Sequence, residues 1–353
     1  MKNNNYIKIN VILAAFGMMI ASCTDNENPT VETPPVEEAY IELNGGGTTF
    51  PNMVFVDLSA EEQVAVRRDS WDFAFSNGTA FQVLINGTTG AMAYETAYTA
   101  FSEVDEAYVN NLKSSGSLDL NFNNLSGILR VDNPSNPLNN GSVFGNLANN
   151  EQDAKVFIVN RGESGADTRE WKKVKIYVSN NKYIIEHAPT NSIEVTKVEV
   201  SKNESHNFTY FSIDNGIVEV EPVKEKWDFV WTAGTSSTPY AQATDGTLAY
   251  FFQDLVYHNI YGGVGAQEIL ESDLSYEDFD IQDLQGLNFN VDNRLTIGSN
   301  WRSGGGPTSS PSAREDRYYI IKDKAGNHYK LRFLSLTTGG ERGRPSLEYA
   351  LIK

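Results

Sequence analysis

The sequence predicts an all-β protein made of two related antiparallel β modules, with few or no helices in its mature part. Three observations predict it. A five-residue apolar stretch occurs twice, as Trp71-Asp72-Phe73-Ala74-Phe75 and as Trp227-Asp228-Phe229-Val230-Trp231. Its surroundings recur in the same order, and nearly everything else is a short alternating apolar run bounded by Gly, Asn, Pro or Ser. In both copies the large apolar side chains occupy alternate positions, so an extended chain puts them on one face and the Asp on the other.

The repeat extends well beyond five letters. Phe55-Val56-Asp57-Leu58 stands 16 residues before Trp71, as Phe211-Ser212-Ile213-Asp214 does before Trp227. Farther on, residues 155–159 and 172–178 match 317–321 and 329–334, with offsets between 156 and 162 residues. A pattern this long, present twice, marks two modules rather than a solenoid. The length of 353 residues agrees with two domains. The reading divides the chain into a leader (1–22), a tether (23–39), module one (40–204) and module two (205–353).

Taken in order, Val54 to Leu58 forms the first strand. After the Trp71 strand, Asn77-Gly78 signals a two-residue hairpin returning through Phe81 to Ile85. A Gly-rich loop follows, Asn86 to Ala93, with its counterpart at Asn259 to Ala266. Both fit Asn-x-x-x-Gly-x-x-Ala at an offset of 173, which requires an insertion in the second copy. Residues 112–153, rich in Asn, Ser and Gly, read as loop and edge strand without helical period. Strands at 155–160, 171–178 and 183–188 close module one, and a strand near 191–201 bridges to module two. There the strands fall at 208–213, 217–220, the Trp227 copy and 248–258. An acidic loop, 271–283, lacks the ligand spacing of a calcium motif. The closing hairpin joins Tyr318–Ile321 to Tyr329–Leu334.

With 40% hydrophobic and 11% aromatic residues the chain has ample material for a core. A net charge of −18 excludes a nucleic-acid backbone as partner, since that affinity comes from clustered Lys and Arg. Lys2 and Lys8, the apolar run Val11 to Ile20 and the small residues after it form a secretory leader too short to span a membrane. Ile20-Ala21-Ser22-Cys23 resembles the lipobox of bacterial lipoproteins, which makes Cys23 the lipidated first residue of the mature chain. The acidic, Pro-containing residues behind it read as an extended tether. They resemble the surface-export signal of Bacteroidetes lipoproteins, which implies an outer-membrane anchor facing the cell exterior. The sequence holds no second cysteine for a disulfide or zinc cluster.

Several of these features together resemble the HmuY family of Bacteroidetes haem-binding lipoproteins. They are the lipobox, the Asp-Leu strand before Trp71-Asp72-Phe73 and the Asn-to-Gly loop after it. The end of the chain adds Arg317 to Lys322, Ala325 to Phe333, and Gly343-x-Pro345-x-Leu347-Glu348-Tyr349. The likeness covers about residues 50–353 and implies an all-β fold, no catalysis, haem or a related tetrapyrrole as ligand, a role in iron acquisition, and a TonB-dependent outer-membrane transporter as partner. Haem-binding members hold the iron between two axial His or Met side chains on opposing loops. This chain departs from that pattern: it is longer, contains the core motif twice, and offers no His/His or Met/Met pair at those places.

Candidate ligands follow from chemistry. A haem site needs an imidazole or thioether and an apolar cleft. His258 ends a strand and opens the Gly-rich loop, and Met92 lies in the matching loop of module one. Each has an ordinary structural reading as well, His258 as a half-buried strand end and Met92 as a packing filler. Tyr257, Tyr261 and Trp301 would wall a ring or serve as sheet aromatics. Gly262 to Gly265 is not a dinucleotide loop, because no helix follows it. No nucleophile elbow, zinc run or phosphate loop is present. The second function class is an accessory surface protein that binds a protein or glycan without haem.

Overall fold

Alternating apolar residues draw the chain into antiparallel strands, and in the computed structural model they account for most of the regular structure. The structure describes residues 34–164, 167–304 and 310–353; the leader, Cys23 and most of the tether lie outside the described residues. Pro35–Lys353 form one compact unit.

The first strands are β1 (Glu38–Glu42), β2 (Asn52–Asp57) and β3 (Glu62–Arg67), then β4 (Phe73–Ser76), β5 (Val83–Ile85) and β6 (Met92–Glu95). Helices α1 (Glu106–Ser115) and α2 (Pro137–Asn140) lead to β7 (Val156–Asn160), β8 (Glu163–Ser164), β9 (Asp167–Thr168), β10 (Lys172–Ser179), β11 (Lys182–Pro189) and β12 (Thr196–Val200). The second copy supplies β13 (Phe208–Ser212), β14 (Gly216–Val218), β15 (Phe229–Pro239), β16 (Thr247–His258) and β17 (Gly265–Leu270). It ends with β18 (Arg302–Ser303), β19 (Ser312–Ala313), β20 (Arg317–Lys322), β21 (His328–Thr338) and β22 (Glu341–Leu351). The all-β expectation holds. Helix α1 went unread, although Asp105 caps its first turn by accepting the Tyr108 N–H and Gly116 ends it in the left-handed conformation.

The larger sheets come in matched pairs. Two have five strands, β1-β22-β21-β20-β17 and β12-β11-β10-β7-β6; two have four, β14-β13-β4-β5 and β3-β2-β15-β16. Within each pair, strand for strand, one sheet repeats the other. The four-stranded sheets, however, exchange strands between copies: β4 pairs with β13 and β15 with β2. A boundary after residue 204 therefore cuts both. Glu38 and Ala39, counted with the tether, begin β1, which pairs with β22.

Register corrects the repeat by one residue. Val230 faces Phe55 and Ala74 faces Tyr210, so Phe55 corresponds to Tyr210 and not to Phe211. Hydrogen bonds rather than residue identity fix this alignment: Asp228 accepts the Leu58 N–H at 2.7 Å, and Asp72 accepts the Ile213 N–H at 2.8 Å.

The shared clusters give the layer order. Phe73, Phe75, Val174, Ile185 and Phe211 pack one five-stranded sheet on one four-stranded sheet. Val56, Phe229, Trp231, Ile321 and Leu347 do the same on the other side. Between the two inner sheets lies a third cluster with Phe55, Trp71, Ala74, Trp227, Val230 and Tyr257. Each fully buried large side chain contributes roughly 1.5–3 kcal/mol, so the inner strands, covered on both faces, anchor the fold.

Two local expectations change. Trp71 and Trp227 do not share a face with the Phe residues that follow them: they join the central cluster beside Ala74 and Val230. The strands begin only at Phe73 and Phe229, and the chain bends at the intervening Asp. The Asn77-Gly78 hairpin is also wider than two residues, since Phe75 pairs with Val83. Asn77 is engaged elsewhere, its Oδ1 accepting the Asn203 N–H and the Thr209 hydroxyl at 2.9 Å each.

Candidate functional site

Both copies of the Asn-x-x-x-Gly loop turn in the same way. Asn86 Nδ2 donates to the carbonyls of Arg68 and Trp71, and Asn259 Nδ2 to those of Lys224 and Trp227. Each amide thus ties its loop to the tryptophan segment of the same copy, which turns the two indoles toward the space between the inner sheets.

That space is a cavity of about 100 Å³. Equivalent positions of the two copies wall it: Trp71 and Trp227, Ala74 and Val230, Leu84 and Tyr257, Ile85 and His258. The second copy carries Tyr257 and His258 in place of the apolar Leu84 and Ile85, and polar side chains of Thr88, Thr235, Asn259, Glu221, Asp132 and Arg294 complete the wall. The Arg294 guanidinium lies 4.4 Å from the centre of the Tyr257 ring and donates through Nε to the Pro134 carbonyl at 2.8 Å.

His258 is buried, and its Nε2 lies 2.9 Å from the Asn290 carbonyl, so Nε2 carries the proton and Nδ1 is left as an acceptor. Burial pushes its pKa down to about 4 and keeps the ring neutral. Glu221 accepts the Phe208 N–H through Oε1 at 2.7 Å, and burial raises its carboxyl to about 8. Asp132 accepts the Ile85 and Val143 N–H groups, each at 2.8 Å, and burial lifts it to about 7.

Four buried polar atoms in this wall have no hydrogen-bond partner: the indole Nε1 of Trp71, that of Trp227, Glu221 Oε2 and His258 Nδ1. An unsatisfied buried donor or acceptor costs about 1–3 kcal/mol.

Of the residues singled out from sequence, Tyr257, His258 and Tyr261 line this cavity together. The Tyr257 hydroxyl donates to the Thr235 carbonyl, and that of Tyr261 donates to Asn136 Oδ1 at 3.1 Å. Met92 lies elsewhere, fully buried with Val109, Leu118, Val156 and Ile158. Trp301 is also core: it stacks on Phe333 at 4.2 Å and donates to the Asp254 carbonyl at 3.0 Å. Glu221, Asp132 and Arg294 escaped the sequence reading because they sit in polar turn segments far apart in the chain.

These positions do not fit a macrocycle held between His258 and Met92. The two residues occupy different clusters, and the cavity beside His258 is well below the roughly 300–1,000 Å³ of ligand pockets. Among the described residues no group of three or more His, Cys, Asp or Glu is placed to hold a metal ion.

An open cleft of about 710 Å³ has the larger size. Trp171 and Phe251 contribute its aromatic surface over the buried Phe50, Arg68 its cation, and Asp119 and Glu163 its carboxylates. The Arg68 guanidinium is buried and donates to the carbonyls of Thr49, Phe50 and Thr88. Burial lowers its pKa to about 10, so it stays charged. The described residues lining the cleft include no His, Met, Cys or Tyr.

The fold defines an all-β protein of matched sheets, and comparison with known proteins gives its family. The HmuY protein family model matches residues 49–349, and the chain belongs to the HmuY family. Among solved structures, a candidate HmuY-like heme binding protein from Bacteroides vulgatus ATCC 8482 matches at 10% identity, covering 90% of this chain and 97% of that one with a TM-score of 0.23. A candidate lipoprotein from Bacteroides fragilis NCTC 9343 matches at 10% identity, covering 89% and 90% with a TM-score of 0.21. Comparison with curated proteins found no match. Among the described residues no helix is long and apolar enough to cross a membrane.

Proposed function

We propose that this HmuY-family chain is a surface lipoprotein, anchored through Cys23 in the outer membrane and facing the exterior. It binds a flat tetrapyrrole of the haem class and hands it to an outer-membrane transporter, without chemistry of its own. Family membership motivates the ligand class, and one observation carries the site: the 710 Å³ cleft with the partly exposed Trp171 and Phe251 in its lining. Its volume lies within the range of ligand pockets, and aromatic faces hold a planar ring by stacking. With no axial side chain in the described lining, retention rests on the ring faces rather than on the iron.

Titration of the soluble domain with haemin and with iron-free protoporphyrin tests this. Both should bind with Kd values within about threefold of each other, and Trp171→Ala should weaken both at least tenfold. A flat Soret region with both ligands refutes the reading. So does binding of haemin alone that is lost on His258→Ala.

One observation favours a second reading, glycan binding: Asp119, Asn121, Asn160 and Gln253 set carboxylate and amide groups beside the same aromatics. Saturable binding of a neutral oligosaccharide, lost in Trp171→Ala, with no response to either porphyrin, would establish it instead.

A further inference from the structure

The cavity between the inner sheets shares no lining residue with the cleft, so it raises a separate question. Its four unpartnered atoms comprise the Trp71 and Trp227 indole N–H donors, the His258 Nδ1 acceptor, and Glu221 Oε2, which bears the proton of a neutral carboxyl whose Oε1 accepts the Phe208 N–H. The remainder of the wall mixes apolar side chains such as Met53, Phe55, Leu84 and Val230 with polar ones such as Thr88, Thr235, Asp132 and Arg294. A volume of about 100 Å³ corresponds to roughly three waters, or to a molecule somewhat smaller than the benzene that fills a 150 Å³ protein cavity. A molecule with an apolar body, an acceptor and a donor uses the apolar side chains and the polar atoms at once. An ion is disfavoured, because burial removes its hydration.

We propose that this cavity is a binding site for one small uncharged molecule of the amide type, of about four to six non-hydrogen atoms. Its carbonyl accepts from the indole N–H groups, and its N–H donates to His258 Nδ1. The site lies where the two copies of the repeat meet. The copies differ there in the way the ligand requires: Ile85 and Leu84 of the first are His258 and Tyr257 in the second. Thus one half brings apolar surface and the other brings the His258 acceptor, around a pair of equivalent tryptophans.

The test uses the folded mature chain and acetamide as probe, followed by the indole N–H signals in ¹H–¹⁵N spectra, each assigned from a single Trp→Phe exchange. The expected result is a saturable shift of the Trp71 and Trp227 signals with those of Trp171, Trp231 and Trp301 unchanged. Acetone, which accepts but cannot donate, should bind at least tenfold more weakly. His258→Phe should weaken acetamide binding about tenfold while the porphyrin titration of the cleft stays as it was. Absence of a saturable shift in the unmodified protein, together with long-lived water contacts to both indoles, would show a cavity filled with water alone and overturn the proposal. Equal binding of acetone and acetamide would overturn the assignment of His258 as the acceptor.

Discussion

Asp72 and Asp228 occupy the same place in the two copies, but Asp72 is held by two guanidinium groups whereas Asp228 sits among carboxylates. Arg161 bonds Asp72 through Nε at 2.8 Å and Nη2 at 2.9 Å, Arg169 Nη1 approaches at 3.1 Å, and both Arg161 and Asp72 are buried. The residue matching Arg161, one past the equivalent strand β20, is Asp323. Asp228 therefore has the Leu58 N–H as a partner and lies in the field of Asp57 and Asp323. Burial above all, then those two charges, raises its carboxyl to about 8.

Opposite outcomes follow for one substitution made at the two sites. Asp72→Asn removes the buried carboxylate that Arg161 and Arg169 share, leaving Arg161 only the mostly exposed Asp214, and should destabilise the protein by about 2–4 kcal/mol. Asp228→Asn keeps an acceptor for the Leu58 N–H and removes a disfavoured charge, so it should stabilise by about 2–4 kcal/mol at pH 8. The gain should shrink as pH falls and vanish below about pH 3, where the carboxyl is protonated in the folded and unfolded chain alike. Urea melts of both variants at the two pH values decide it; equal effects of the two substitutions would refute the asymmetry.

The central cavity should give the protein a stability maximum in mild acid. Glu221 has a folded pKa raised to about 8, so its contribution is complete below its unfolded value and is lost as pH rises through 8. His258 has a folded pKa lowered to about 4, so its contribution is present above its unfolded value and is lost as pH falls toward 4. Each group changes stability by at most about 1.4 kcal/mol per pH unit within its window. Glu221→Gln should flatten the alkaline limb of the stability curve and His258→Gln the acid limb. Melts from pH 4 to 9 that leave both limbs unchanged would show that neither group titrates as the burial implies.

Gly162 supports the cleft by a contact no other residue can make. Its φ is +71°, and a Cβ there would stand 2.0 Å from the Thr89 carbonyl oxygen. Both residues line the cleft. Gly162→Ala should cost about 2–4 kcal/mol, from the left-handed backbone together with the displaced loop. Gly145→Ala, at φ +59° with nothing within 4 Å, should cost about 1–2 kcal/mol. Thermal melts compare them, and equal losses would mean that the Thr89 contact relaxes without penalty.

Periodicity made the strands legible and hydrogen bonding hid the rest. Apolar alternation placed the closing hairpin at Tyr318 and Tyr329, now in β20 and β21, and the Asn86 and Asn259 loops matched despite the longer β15-β16 hairpin between them. The one-residue slip at Phe55 arose because residue identity was matched where the carboxylates of Asp72 and Asp228 set the register. Trp71 was assigned to the wrong face because alternation presumes a straight strand, and the chain bends at Asp72. Tyr257, His258 and Tyr261 were legible as neighbours at a strand end. Glu221 and Arg294 were not, since only the exchange of strands between copies brings those distant turns together.

That exchange has a direct consequence for the two segments. A chain ending at residue 204 keeps β4 and β5 but loses β13 and β14, the other half of their sheet, and its β2 and β3 lose β15 and β16. Unpaired inner strands would expose both backbone groups and the faces of Phe73, Phe75 and Phe55, which are almost fully buried in the whole chain. Neither fragment 34–204 nor fragment 205–353 should give a cooperative melt when produced alone, whereas the two refolded together should form a 1:1 complex with the near-ultraviolet circular dichroism of the intact protein. Native-state exchange should place the slowest amides in β2, β4, β13 and β15 of both the complex and the intact chain. Cooperative folding of either fragment by itself would mean that each copy can pair its own strands, and the matched sheets would then be a docking of two independent modules.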